Sequence, residues 1–104
     1  QSPNGYKVIL TRDRWEHFVE EHIPPANPPK TVLPKDFIKP EYQKLLLHRI
    51  FELVLKNEGN EGKKRDPKMR YLDGKFIVVY GHRIKIDLGR HIETNQIERL
   101  HPLK

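Results

Sequence analysis

From Phe76 to His91 the chain reads FIVVYGHRIKIDLGRH, two apolar runs around a Gly-His pair, with Arg83 and Lys85 alternating with Ile84 and Ile86. Period-two alternation of this kind predicts a strand with one buried and one open face. The whole stretch MRYLDGKFIVVYGHRIKIDL reads as an antiparallel meander of three strands, about Met69–Leu72, Lys75–Tyr80 and Arg83–Leu88. Two-residue turns at Asp73-Gly74 and Gly81-His82 are expected to join them. In that register Leu72 faces Lys75, Tyr80 faces Arg83 and Val78 faces Lys85. One face then collects Leu72, Ile77, Val79, Ile84, Ile86 and Leu88, with Arg70 and Lys75 among them. The other collects Met69, Tyr71, Phe76, Val78, Tyr80, Arg83, Lys85 and Asp87. The sequence IETNQIERLHP fits neither period well and leaves a fourth strand and a single helical turn both open.

Upstream the period changes. YKVIL (Tyr6–Leu10) predicts a short strand, and TRDRWEHFVEEHI a helix capped by Thr11, with Asp13 in its first turn and Trp15, Phe18, Val19, His22 and Ile23 on one stripe. His17 falls almost opposite that stripe. Six of the nine prolines lie in residues 24–40, which predicts an extended strap covering the surface rather than a core element. Pro40 suits the first position of a second helix, EYQKLLLHRIFELVLK, ending at Asn57 or Gly59. Its apolar residues cover most of its circumference, so it is expected to be central, packed on the sheet and on a neighbour. The charged segment 57–68 reads as a mobile loop. The expected fold is α+β, an N-terminal strand and helices on one face of a small antiparallel meander. With 104 residues it forms a single domain.

The chain has no cysteine, which removes disulfides, thiol nucleophiles and Cys-ligated zinc. No run approaches the roughly 18 apolar residues of a membrane span, and a monomer without cofactor or bound metal is expected. Charge matters by position. Residues 1–62 carry nine Lys/Arg and nine Asp/Glu; residues 63–104 carry eleven against five, the whole formal +6. A basic C-terminal half with rings and cations on one sheet face suits single-stranded RNA, because bases stack on aromatic side chains and cations neutralise phosphates. Tyr71, Phe76, Tyr80, Lys63, Lys64 and Arg65 are the candidate RNA contacts.

Six histidines supply acid–base capacity near neutrality. Metal-independent RNA cleavage needs a base for the 2′-hydroxyl, an acid for the leaving oxygen and cations on the phosphorane. His17, His91, Arg83 and Lys85 are the candidates for these roles, with Thr94 adding a hydrogen bond to phosphate. HExxH, GxxxxGK[ST], GxSxG and calcium-loop patterns are absent from the sequence. Two alternatives stay open: a non-catalytic RNA- or protein-binding module, and a metal-dependent nuclease using Asp87, Glu93 and a histidine.

The stretch YKVILTRDRWEHFVEEHI, a strand leading into a W-x-H-(I/F)-x-x-x-H helix with Trp15, His17, Phe18 and His22 in place, resembles phage-type members of the barnase, EndoU, colicin and RelE nuclease superfamily. A helical half followed by a meander is also similar to that superfamily, whose members include tRNA-cleaving colicins and contact-dependent growth inhibition toxins. The proline-rich strap and the long apolar second helix depart from the pattern. The resemblance implies a metal-independent ribonuclease toxin, secreted or surface-delivered on a larger carrier. It further implies that the toxin acts on tRNA in the cytoplasm of a target bacterium and is neutralised by an immunity protein, for which an acidic surface is expected.

Overall fold

A computed structural model describes residues 7–26, 29–57, 60–61 and 66–103. Helix α1 spans Arg12–His22, a 3₁₀ turn Lys35–Ile38 and helix α2 Pro40–Lys56. Strands β1 (Asn60–Glu61), β2 (Met69–Val79), β3 (His82–His91) and β4 (Ile97–Leu103) form one antiparallel sheet in the order β1-β2-β3-β4. The class is α+β, with three long strands and the two-residue β1 at one edge.

The helices follow from their ends and stripes. Thr11 Oγ1 accepts from the Arg14 amide at 3.2 Å and starts α1. Phe18 and His22, four residues apart, turn inward and are buried. Pro40 opens α2, and Asn57 closes it by donating its side-chain amide to the Leu53 carbonyl at 2.9 Å. Leu46, Ile50 and Val54 form the buried stripe of α2, which packs on β2 and the 3₁₀ turn. Leu47, Phe51 and Leu55, on another side of the helix, are only half-buried, so α2 is less enclosed than its composition implies. The strand expected at Tyr6–Leu10 is reduced, within the described residues, to a single parallel bridge between Ile9 and Gln96.

The strap corrects a second expectation. Leu33 and Phe37 sit in the hydrophobic core, Phe37 fully buried beneath α2 residues that include Tyr42. Three contacts fasten the strap to α1: the Leu33 amide donates to the His22 carbonyl at 2.7 Å, His22 Nδ1 meets the Thr31 carbonyl at 2.8 Å, and Lys30 pairs with Glu21.

The turns also moved. Asp73-Gly74 is not a hairpin turn but a bulge inside the eleven-residue β2, where Leu72 pairs with Leu88 and Lys75 with Ile86. Two residues of β2 thus oppose Asp87 alone. Gly74 adopts φ +63°, and its amide donates to Asp87 Oδ1 at 2.8 Å. The real hairpin turn is Tyr80-Gly81, with φ +46° and +81°, as a type I′ turn demands of both central residues. Val79 pairs with His82 and Val78 with Arg83. Sliding a two-residue turn by one step shifts the register by two, so every side chain keeps its face. Ile77, Val79, Ile84, Ile86, Leu88 and Leu72 accordingly line the core. The segment after β3 resolves into β4, and a register shift between the Gly89–Arg99 and Arg90–Ile97 pairs breaks its periodicity. The edge of β2 beyond β1 is partly capped, because Arg49 Nε donates to the Val78 carbonyl at 3.1 Å.

Candidate functional site

The sheet face turned away from the core carries rows of side chains set by the register. Phe76, Lys85 and Leu103 form one row; Asp87 and His101 the next; Tyr71, Gly89 and Arg99 the one beyond. Arg83 lies beside Val78 at the hairpin end. Phe76 and Val78 are about half exposed and Arg83 is exposed, so this end of the face is open.

At its centre Asp87, His101 and Arg99 meet. His101 Nε2 lies 3.6 Å from Asp87 Oδ2 and 3.4 Å from the Arg99 guanidinium, whose own distance to Asp87 Oδ2 is 3.6 Å. The bulge amide of Gly74 fixes the other oxygen of Asp87, and the carboxylate is largely withdrawn from solvent. Partial burial, followed by the neighbouring Arg99, holds the His101 imidazole below the usual histidine range, against the pull of Asp87 in the opposite direction. These surroundings favour the neutral ring, the form able to take a proton. Lys85 projects from the same face two residues along β3, about 7 Å away by strand geometry.

Arg83 and Lys85 are organised by Phe76. The Arg83 guanidinium carbon lies 4.0 Å from the Phe76 ring centroid and Lys85 Nζ lies 5.9 Å from it. Neither cation has a carboxylate partner among the described residues.

The other expected residues sit elsewhere. His17 is on the solvent side of α1, 3.6 Å from Asp13 and well exposed. It is turned about 140° from the buried His22. His91 ends β3, where its Nδ1 accepts from the Glu93 amide at 3.2 Å. Six residues of extended strand, about 20 Å, separate it from Lys85, so the two cannot serve one phosphate. Thr94 belongs to the β3–β4 turn, its hydroxyl accepting from the Gln96 amide at 3.3 Å. Glu93 is in the same turn, paired with Lys68 at 3.4 Å, and does not join Asp87. Among the described residues no group of three His, Asp or Glu side chains stands close enough to hold a metal ion.

Tyr71 lies on the expected face but is 8% exposed, which removes it as a stacking platform. Tyr80 is exposed in the hairpin turn, yet its ring packs 4.6 Å from that of Tyr42 rather than beside Phe76. Lys63, Lys64 and Arg65 lie outside the described residues. Of the Trp-x-His helix motif, Trp15 and Phe18 stack at 5.3 Å and His22 bonds the strap, so these residues build the fold.

His101 and Arg99 were missed by sequence reasoning. Their signal was the alternation of Arg99, His101 and Leu103 with buried Leu100 and Pro102, concealed by the phase shift after Ile97. His82 was missed as well. It is partly exposed at the start of β3, its Nε2 3.1 Å from Asp36 Oδ2, with its ring against those of Phe37 and Tyr42. Comparison with protein-family models, with curated proteins and with solved structures finds no match for this chain.

Proposed function

We propose that the open sheet face binds single-stranded RNA and cleaves it by attack of the 2′-hydroxyl on the adjacent phosphate, without a metal ion. The observation that carries this reading is the convergence of the His101 imidazole, a partly buried carboxylate beside it and several cations on one solvent-facing surface. His101 takes the 2′-hydroxyl proton, and Asp87 stabilises the imidazolium that forms. Arg99 and Lys85 face the charge that develops on the phosphorane. Lys85 also protonates the departing 5′-oxygen, a role closed to arginine, which does not give up its proton. The products are a 2′,3′-cyclic phosphate and a free 5′-hydroxyl.

The resemblance of the first helix to nuclease toxins extends the proposal to tRNA as substrate, to delivery into a target bacterium and to an acidic immunity protein as the inhibitor. A cationic face is a fitting target for such a partner as well as for RNA. No helix among the described residues is long and apolar enough to cross a membrane.

Incubation with total tRNA in EDTA tests the reaction. Cleavage with 2′,3′-cyclic phosphate ends is expected, and His101→Gln should slow it at least about hundredfold. Binding without cutting, or cutting that needs magnesium, would overturn the mechanism.

A further inference from the structure

Beside this face lies a feature that the reaction does not use. Among the described residues β4 pairs with β3 as far as Lys85–Leu103, and His82, Arg83 and Ile84 have β2 on one side and no described strand on the other. Backbone groups of a strand point alternately to its two sides, so some amides and carbonyls of this stretch face outward. No backbone hydrogen bond from another element reaches them among the described residues. The strap runs past this edge and leaves an open cleft of about 720 Å³ between them. Pro29, Val32 and Pro34 line the strap side, and Phe76, Arg83 and Lys85 the sheet side. The volume lies within the range of small-molecule pockets.

The composition of the cleft is selective. The strap wall is mostly apolar, with Pro29, Val32, Leu33 and Pro34 beside Thr31 and Lys30, whose ammonium is paired with Glu21. The opposite wall bears two cations without a described carboxylate partner, Lys85 and Arg83, the latter's guanidinium held over the Phe76 ring. Guanidinium groups and aromatic rings both stack on unpaired bases, and the same cations attract phosphate. The cleft adjoins the reaction centre through Lys85, which lines it.

We propose that this cleft is a nucleotide subsite for the RNA chain flanking the scissile phosphate. One unpaired base lies between the strap and the Arg83–Phe76 platform, with its phosphate on Arg83 and Lys85. The outward backbone groups of His82–Ile84 are placed to meet the base edge. The consequence for substrate choice is that unpaired RNA is favoured over duplex, because a paired base must first be unstacked and unpaired to enter. The proposal rests on the reading of the open face as an RNA-cleaving surface, and it adds the place where a nucleotide next to the scissile phosphate is held.

A fluorescein-labelled 2′-O-methyl hexauridylate, uncleavable because it lacks a free 2′-hydroxyl, tests the site by fluorescence anisotropy. Phe76→Ala and Arg83→Ala are each expected to weaken its binding about tenfold. Amide resonances of Val32 and Ile84 in the labelled wild-type protein should shift on adding it. If both variants bind as wild type and shifts are confined to Asp87, Arg99 and His101, the cleft proposal fails and the cleaving face survives. Shifts in the cleft together with failure to cleave tRNA would retain the subsite and remove the nuclease. Absence of both binding and cleavage overturns both. Equal shifts with polyglutamate, independent of Phe76, would show a charge site without base stacking and overturn the subsite.

Discussion

His101 is useful as a base only while it is neutral, and its surroundings keep it so. Partial burial and Arg99 lower its folded-state pKa, so the unfolded chain binds the proton more readily. The stability linked to the neutral ring is complete above the ordinary histidine value of about 6.5 and is lost as pH falls through the lower folded value. Four results are expected. The His101 ring proton should titrate below the free-imidazole midpoint by NMR, and Asp87→Asn should move it lower still, since Asp87 supports the charged form. The acid limb of kcat/KM should follow that midpoint in both proteins. Wild type should lose stability on acidification through this range more steeply than His101→Gln. A midpoint at or above the free value would exclude His101 as the base at neutral pH.

Strands deliver these residues, and the fine adjustment comes from positions without side chains. An alanine Cβ at Gly89 would lie 3.0 Å from Met69 Cε, 3.1 Å from Arg99 Cβ and 3.3 Å from the Tyr71 ring. The methionine tip can move aside; the Arg99 Cβ is tied to the backbone of β4. Gly89→Ala is expected to cost roughly 1–3 kcal/mol in denaturant unfolding and to lower kcat by displacing Arg99. His91→Ala, at the far end of the strand, should leave kcat near wild type, and the reverse ranking would restore the His91 assignment. Both helices and the partition of the sheet into an aliphatic back and a cationic front were legible in the sequence. Caps such as Thr11 and Pro40 and the repeat of Leu46, Ile50 and Val54 are local signals, and face assignment survives a turn misplaced by one residue. The strand count was not legible, because Asp-Gly with positive φ serves a hairpin turn and a bulge equally well. Nor was the centre of the site, since Gly74, Asp87, Arg99 and His101 come from three strands whose meeting depends on two register shifts. Phe37 was hidden by the prolines around it, which describe the backbone of the strap and say nothing of which side chain it buries.

For the molecule as a whole, the excess positive charge of residues 63–104 predicts, on the proposed reading, how RNA affinity responds to ionic strength. Each phosphate neutralised on a single strand contributes about −0.7 to the slope of log K against log salt. Replacing Lys85 by Gln should flatten that slope by about this amount, and an unchanged slope would place the RNA backbone elsewhere. Arg49 acts on another intermolecular question. The Val78 carbonyl it occupies lies on the part of β2 that β1 leaves uncovered, and free acceptors in such a place are what one copy's strand uses to recruit the next. A second copy trying to lengthen the sheet at that edge would first have to dislodge a guanidinium, which guards this part of β2 against strand-on-strand growth.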